Sequence, residues 1–255
     1  MRIEAIRILK DNYVWTLIDD AKKSAIIIDP GEAQPVIDFL NKNHLKLLAI
    51  LITHHHWDHT NGITGILHVF PVPVYGPANE NIAGLTHPLS ENDTLHIKGF
   101  PADIKILEIP GHTSGHIAFY LQGKLFCGDT LFAAGCGKLF EGTADEMTAS
   151  LQKILSLPDE TEIYCAHEYT LNNLRFAQLA DPDNQAIPER AKRVSALRNK
   201  NQPSLPSTLK EEKETNPFLR CDKPAIKASV EKHVGEQLDT PVKVFAELRK
   251  WKDRF

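Results

Sequence analysis

Between Met1 and Tyr169, six short apolar runs each break off at a turn residue or at a side chain able to ligate a metal. Residues 25–28 end at Asp29-Pro30-Gly31, residues 47–52 at Thr53-His54 and residues 72–75 at Gly76-Pro77. Residues 104–109 end at Pro110-Gly111-His112, residues 125–127 at Gly128-Asp129 and residues 163–166 at His167. Runs this short, rich in Val and Ile and closed by Gly or Pro, read as strands, several of them buried. Residues 33–41 (Val36, Ile37, Leu40) and 144–155 (Met147, Leu151, Ile154) instead space their apolar side chains as helices do. Strands with intervening helices define an α/β domain. Ligands at the ends of several strands can converge on one rim of a sheet, where the sites of such folds lie.

After Thr170 the pattern changes. Residues 171–180, 191–200, 225–234 and 241–252 read as amphipathic helices, with Pro241 suited to a first turn. Residues 201–215 (NQPSLPSTLKEEKET) read as a loop or connector. The expected organisation is an α/β domain over residues 1–170 and a small all-helical domain over 171–255.

Composition narrows the classes of partner. With 29 Lys+Arg against 33 Asp+Glu, the net charge of −4 gives no field for a polyanion, so no nucleic-acid partner is expected. The longest apolar run, residues 47–52, is far short of the roughly 20 residues of a membrane span. The first fifteen residues, MRIEAIRILKDNYVW, lack the apolar core of a signal peptide, and four scattered Cys make no disulfide framework. A cytosolic, monomeric protein with no membrane partner is the expectation.

The segment 53–59, THHHWDH, follows directly on the strand at 47–52. While the chain stays extended, His54, His56 and Asp58 share one side, and His59 joins them only if the chain turns after Asp58. Imidazole and carboxylate are first-choice ligands for zinc and for harder divalent ions. His112, Asp129 and His167 each lie within three residues of a strand end, which brings the candidates to seven: His54, His56, Asp58, His59, His112, Asp129 and His167. One tetrahedral zinc uses at most four protein ligands. Seven therefore argue for two ions, and a carboxylate with two oxygens is suited to bridge them. Zinc is the first choice of metal, and mixed N/O ligation also admits iron or manganese.

These segments carry a resemblance. HxHxDH at 54–59, GHTSGH at 111–116, FCGDTLF at 126–132 and CAHEYT at 165–170 resemble the metallo-β-lactamase superfamily. More narrowly, THHHWDHTNG (53–62), AGCGKLFEGTADEM (134–147), AHEYTLNNLRFA (166–177) and LRKWKDRF (248–255) are similar to the glyoxalase II, or hydroxyacylglutathione hydrolase, family. The resemblance implies an αββα sandwich with a binuclear metal site, followed by a helical domain that shapes the substrate groove. It implies that His54, His56 and His112 hold one metal, that Asp58, His59 and His167 hold the other, and that Asp129 bridges. It implies hydrolysis of S-(2-hydroxyacyl)glutathione, such as S-D-lactoylglutathione, to glutathione and a 2-hydroxy acid, the second step of methylglyoxal detoxification. Glutathione contacts are implied for Lys138, Phe140, Tyr169, Arg249 and Lys252. Some members carry Tyr where this chain has Phe140, which cannot donate the hydroxyl hydrogen bond.

Three other readings compete. A persulfide dioxygenase would use two His and one Asp of this constellation, whereas here all seven ligands and the groove motifs are present. A non-catalytic metal-binding member of the superfamily would show eroded ligands. A nucleic-acid hydrolase would need a basic patch.

Overall fold

The apolar runs at 25–28 and 47–52 form strands buried on both faces. A computed structural model describes residues 1–255, which divide into one unit of Met1–Glu108 with Ser114–Gly128 and another of Ile109–Thr113 with Asp129–Phe255. In the first unit, Arg2–Ile8, Asn12–Asp19 and Ser24–Ile28 pair antiparallel, and Lys46–Leu51, Val74–Pro77 and His87–Leu89 continue the sheet in parallel. A parallel pair needs a crossover, which helix Gln34–Lys42 supplies between Ser24–Ile28 and Lys46–Leu51. That helix buries Val36 and Leu40 in a cluster with Ile6, Ile18, Ile27 and Ile50, joined by Ile63 and Ile66 of helix Ile63–Val69. On the opposite face, Leu17, Ile26, Ile28 and Leu51 are also buried. Burial of each such side chain is worth about 1.5–3 kcal/mol, and two-faced burial is why these strands show no polar alternation.

Strands Thr94–Leu95, Ile104–Glu108, Ile117–Leu121 and Lys124–Gly128 of the same unit pair antiparallel. Ile104 and Ile106 are buried while Lys105 between them is exposed, the alternation of a one-faced strand. The Ile117 amide donates to Thr53 O at 2.9 Å, which ties this sheet to the end of the metal-motif strand.

The second unit opens with a short hairpin, Leu131–Phe132 against Gly135–Cys136. Helix Ala144–Leu155 begins with a capping box, Thr143 accepting the Glu146 amide and Glu146 accepting that of Thr143. Helices Thr170–Ala180, Ala186–Asn199, Pro224–Val234 and Pro241–Arg254 follow, the third ending at Gly235 with φ 79°, the left-handed C-cap that glycine favours. Two local expectations change. The connector read over 201–215 contains strand Ser207–Thr208 and helix Leu209–Thr215, capped by the Thr208 hydroxyl. Its sequence hides the helix because its buried face includes Glu212, which is paired with Arg190. The helix read over 191–200 begins at Ala186, since Pro188 is tolerated in a first turn.

Candidate active site

In the first unit the strand stops at Leu51 and helix Trp57–Thr60 begins after five intervening residues. The chain therefore turns before Asp58, not after it, and Asp58 and His59 are both helical. The expectation of extended alternation through Asp58 is corrected here. The glycines permit this tight fold: a Cβ on Gly31 would lie 1.9 Å from Asp58 O.

One buried carboxylate that the sequence reading passed over organises these donors. Asp29 sits at the end of strand Ser24–Ile28 with φ 56° and accepts the Thr53 amide at 2.8 Å through Oδ1. Its Oδ2 accepts the Thr53 hydroxyl at 2.7 Å and faces His59 Nδ1 at 3.1 Å. The His59 proton is thereby held on Nδ1, and Nε2 presents a lone pair 3.5 Å from Asp58 Oδ2. Thr53 Oγ1 has spent its hydrogen on Asp29, so it accepts from His54 Nδ1 at 3.0 Å. His54 Nε2 then presents its lone pair to His56 Nδ1 at 3.1 Å. Asn12 Nδ2 donates to Asp58 Oδ2 at 3.0 Å. His55 turns aside to Glu80 at 3.0 Å, and the Gly115 amide donates to the same carboxylate. His116 stacks on His54 with centroids 4.6 Å apart, a supporting position. Asp29 had a legible signal, a carboxylate closing an apolar run like the others. Asn12 and Glu80 had none.

In the second unit His112, Asp129 and His167 are brought together and buried. His112 Nδ1 donates to Lys138 O at 2.9 Å, which leaves Nε2 facing Asp129 Oδ2 at 3.6 Å. His167 Nε2 lies 3.3 Å from the same oxygen, and its ring stacks on Tyr169 at 4.7 Å and 8°.

The donor sets fit divalent metal. In each unit, imidazole lone pairs face a carboxylate oxygen or another ring nitrogen, an arrangement a cation stabilises. Their separations of 3.1–3.6 Å compare with the ~2.9–3.4 Å expected between neighbouring ligands of an ion bound at about 2.0–2.1 Å.

A groove of about 420 Å³ in the second unit is lined by His112, Asp129, Lys138, Phe140, Tyr169, Arg249 and Lys252, so all five residues read as substrate contacts meet two of the ligands there. Lys138 and Phe140 are exposed, the latter edge-on to His112 at 5.3 Å. The two cations of helix Pro241–Arg254 differ. Arg249 is buried, donating to Cys136 O at 2.8 Å, paired with Asp253 at 3.0 Å and lying over the Phe218 ring. Lys252 Nζ has no hydrogen-bond partner and lies 5.1 Å from the Phe176 ring centre and 4.9 Å from that of Phe255. Burial, with the Arg249 charge beside it, pushes its ammonium down to about 8. The four cysteines are buried and unbridged, and burial pushes the Cys136 thiol up to about 11 and Cys165 up to about 12.

Comparison with known proteins bears on the family. Residues 10–167 match the metallo-β-lactamase superfamily, and residues 168–255 match the hydroxyacylglutathione hydrolase C-terminus. The chain is 54% identical to the hydroxyacylglutathione hydrolase of Nitrosomonas eutropha, over 98% of this chain and 97% of that protein. It is 53% identical to the hydroxyacylglutathione hydrolase of Nitrosomonas europaea, over 98% and 95%. Among solved structures, the BLEG-1 B3 metallo-β-lactamase is similar with a TM-score of 0.66 at 25% identity, covering 86% of this chain and 99% of that one. No helix is long and apolar enough to cross a membrane. With its lactamase-like fold, its His/Asp donors for divalent metal and relatives matched almost end to end, the chain belongs to the hydroxyacylglutathione hydrolase (glyoxalase II) family of the metallo-β-lactamase superfamily.

Proposed function

We propose that the chain hydrolyses S-(2-hydroxyacyl)glutathione, such as S-D-lactoylglutathione, to glutathione and a 2-hydroxy acid, using a binuclear centre. His54, His56 and His112 would hold one ion and Asp58, His59 and His167 the other, with Asp129 between them. Zinc is the first choice, and iron or manganese suits the same donors. The observation that carries the reading is a shared groove: His112 and Asp129 line it together with Lys138, Tyr169 and Lys252. A thioester of an anionic peptide needs that combination of metal donors beside cations. The reading takes residues 1–170 as the catalytic domain and 171–255 as the substrate-binding domain of a cytosolic monomer, and every residue it uses lies on one chain.

Divalent ions in such a site lower the pKa of water and withdraw charge from a carbonyl oxygen. The protein supplies the rest. Lys138 and Lys252 attract the glutathione carboxylates, Tyr169 offers a hydroxyl, and Phe140 packs against the peptide. Arg249 serves from behind, fixing Cys136 through its carbonyl. These contacts hold ground and transition states alike, so they act on KM more than on kcat. Water adds to the thioester carbon to form the C–O bond, and the adduct collapses with cleavage of the C–S bond; the acid leaves as its carboxylate, one proton of the water ends on the departing thiolate and the other in solvent. No Ser or Cys nucleophile is required, and the buried, protonated thiols accord with that.

The test is a hydrolysis assay on S-D-lactoylglutathione, run anaerobically, with elemental analysis of the same sample. Thioester cleavage with two ions per chain is expected. One ion in a fully active, metal-saturated sample would defeat the binuclear assignment. Oxygen uptake on glutathione persulfide without thioester hydrolysis would reassign the chain to the dioxygenases.

A further inference from the structure

Arg190 and Glu212, on two helices of the second unit, are 1% and 0% exposed. Arg190 donates through Nη2 to Glu212 Oε1 at 2.5 Å and through Nη1 to the Thr215 hydroxyl at 2.6 Å. A buried ion pair adds little net stability over an apolar pair of the same size, so its presence points to another role. The second oxygen of Glu212 reaches out of the helices. It accepts the Ala134 amide at 2.8 Å, in the turn of the Leu131–Cys136 hairpin. Ala134 has φ 54°, a left-handed conformation that a residue with a Cβ rarely adopts. Asn216, itself within 3.2 Å of Glu212 Oε2, donates to Phe132 O at 3.1 Å and Gly135 O at 2.9 Å, and Asn173 donates to Ala133 O at 3.0 Å. Phe132, Ala133, Ala134 and Gly135 are thus each held by a buried side chain from the helices.

The hairpin transmits that grip to the site. Its two legs are in contact below the turn: the Gly137 amide donates to Thr130 O at 3.1 Å, and a Cβ on Gly137 would lie 1.9 Å from Asp129 O. Asp129 stands at the root of one leg and Lys138 at the end of the other. Phe132 meets the edges of His167 and Tyr169 at 5.8 and 5.3 Å.

We propose that Arg190 and Glu212 are positioning residues: by clamping the hairpin turn they fix Asp129 for metal and Lys138 for glutathione. The inference rests on the roles given to Asp129 and Lys138 under the proposed function. Glu212→Ala would leave the buried Arg190 with only the half-buried Glu211 as a carboxylate partner and mix destabilisation with loss of the clamp, so the informative variant is Arg190→Met/Glu212→Leu. It leaves no buried charge unpaired, since Glu211, the other partner of Arg190, keeps its pair with Arg193, but it deprives the Ala134 amide of its acceptor. Asn216→Ala is a second probe, keeping the ion pair while releasing Phe132 and Gly135. Melting temperature, glutathione affinity by calorimetry and the rate of metal loss to a chelator are read on metal-loaded protein. Both variants should fold, bind glutathione about tenfold more weakly and lose metal about tenfold faster, the lower end of outer-shell effects. Adding Ala134→Gly to the double variant should restore part of both, because glycine adopts this φ without the clamp. Folded variants that bind glutathione and retain metal like the wild type would reduce the network to a joint between helices. Wild-type protein that neither binds glutathione nor retains metal would defeat the proposed function, and this inference with it.

Discussion

In the first unit four donors come from six consecutive residues, and one carboxylate, Asp29, sets the protonation of two of them directly or through Thr53. In the second unit three donors come from three separate segments, and the neighbours of His112 and Asp129 are groove residues: Lys138, Phe140, Tyr169, Lys252. The first unit is built for fixed tautomers and carries little recognition. The second shares its donors with the lining of a groove. A substitution in the first unit should therefore show in metal affinity, and one in the second in metal and substrate together.

The hardest test of that contrast is Asp129→Ala, which should take turnover to background and lower the metal content per chain, checked by assay and elemental analysis. Asp29→Ala comes next. Loss of this one acceptor should weaken metal binding about 10–100-fold in a chelator competition while leaving KM near wild type, since Asp29 lies behind the donors. A change in KM as large as the change in affinity would erase the distinction between the units.

Lys252 gives a smaller effect with a definite sign. Its ammonium is pushed down from 10.5 to about 8, so the folded chain holds this proton less tightly than the unfolded chain. Folding stability should rise with pH between about 8 and 10.5 from this group, while affinity for the anionic substrate falls over the same range. Lys252→Met should flatten the KM profile above pH 8 and raise KM at pH 7 by about tenfold, a charge-assisted contact's worth. The groups facing Lys252 are Arg249, Asp253 and Cys136, so the profile in the variant also reports whether any of these titrates instead. Smallest of all, Phe140→Tyr restores a hydroxyl beside His112 and should lower KM by a few-fold with kcat unchanged.

What was legible in the sequence follows the same division. Strand runs such as 47–52 and 104–109, and helices 33–41 and 144–155, stand within a residue or two of their observed limits because two-faced burial in the first, one-faced alternation in the second and helical periodicity in the others leave strong patterns. The cluster 54–59 was readable as metal-binding because donors concentrated in one stretch have few other uses. Its local geometry was not: extended alternation fails once the chain enters helix Trp57–Thr60, and a four-residue helix has no periodicity to detect. Glu212 and Arg190 were invisible for the opposite reason. Charged residues in KEEKET read as solvated, and only a partner distant in sequence makes them a core. Asn12 and Glu80 likewise acquire meaning from tertiary neighbours, not from spacing.

The buried thiols have a consequence for chemical durability. Under the proposed function glutathione, a thiol, would leave through a groove that Cys136 also lines. Exchange between the two would require a thiolate or an oxidised sulfur on the protein. Burial pushes the Cys136 thiol up to about 11, so at neutral pH the sulfur is held as the thiol, whereas nucleophilic attack proceeds from the thiolate. Electrophiles that alkylate exposed, ionised cysteines meet a buried, protonated sulfur in this part of the groove wall.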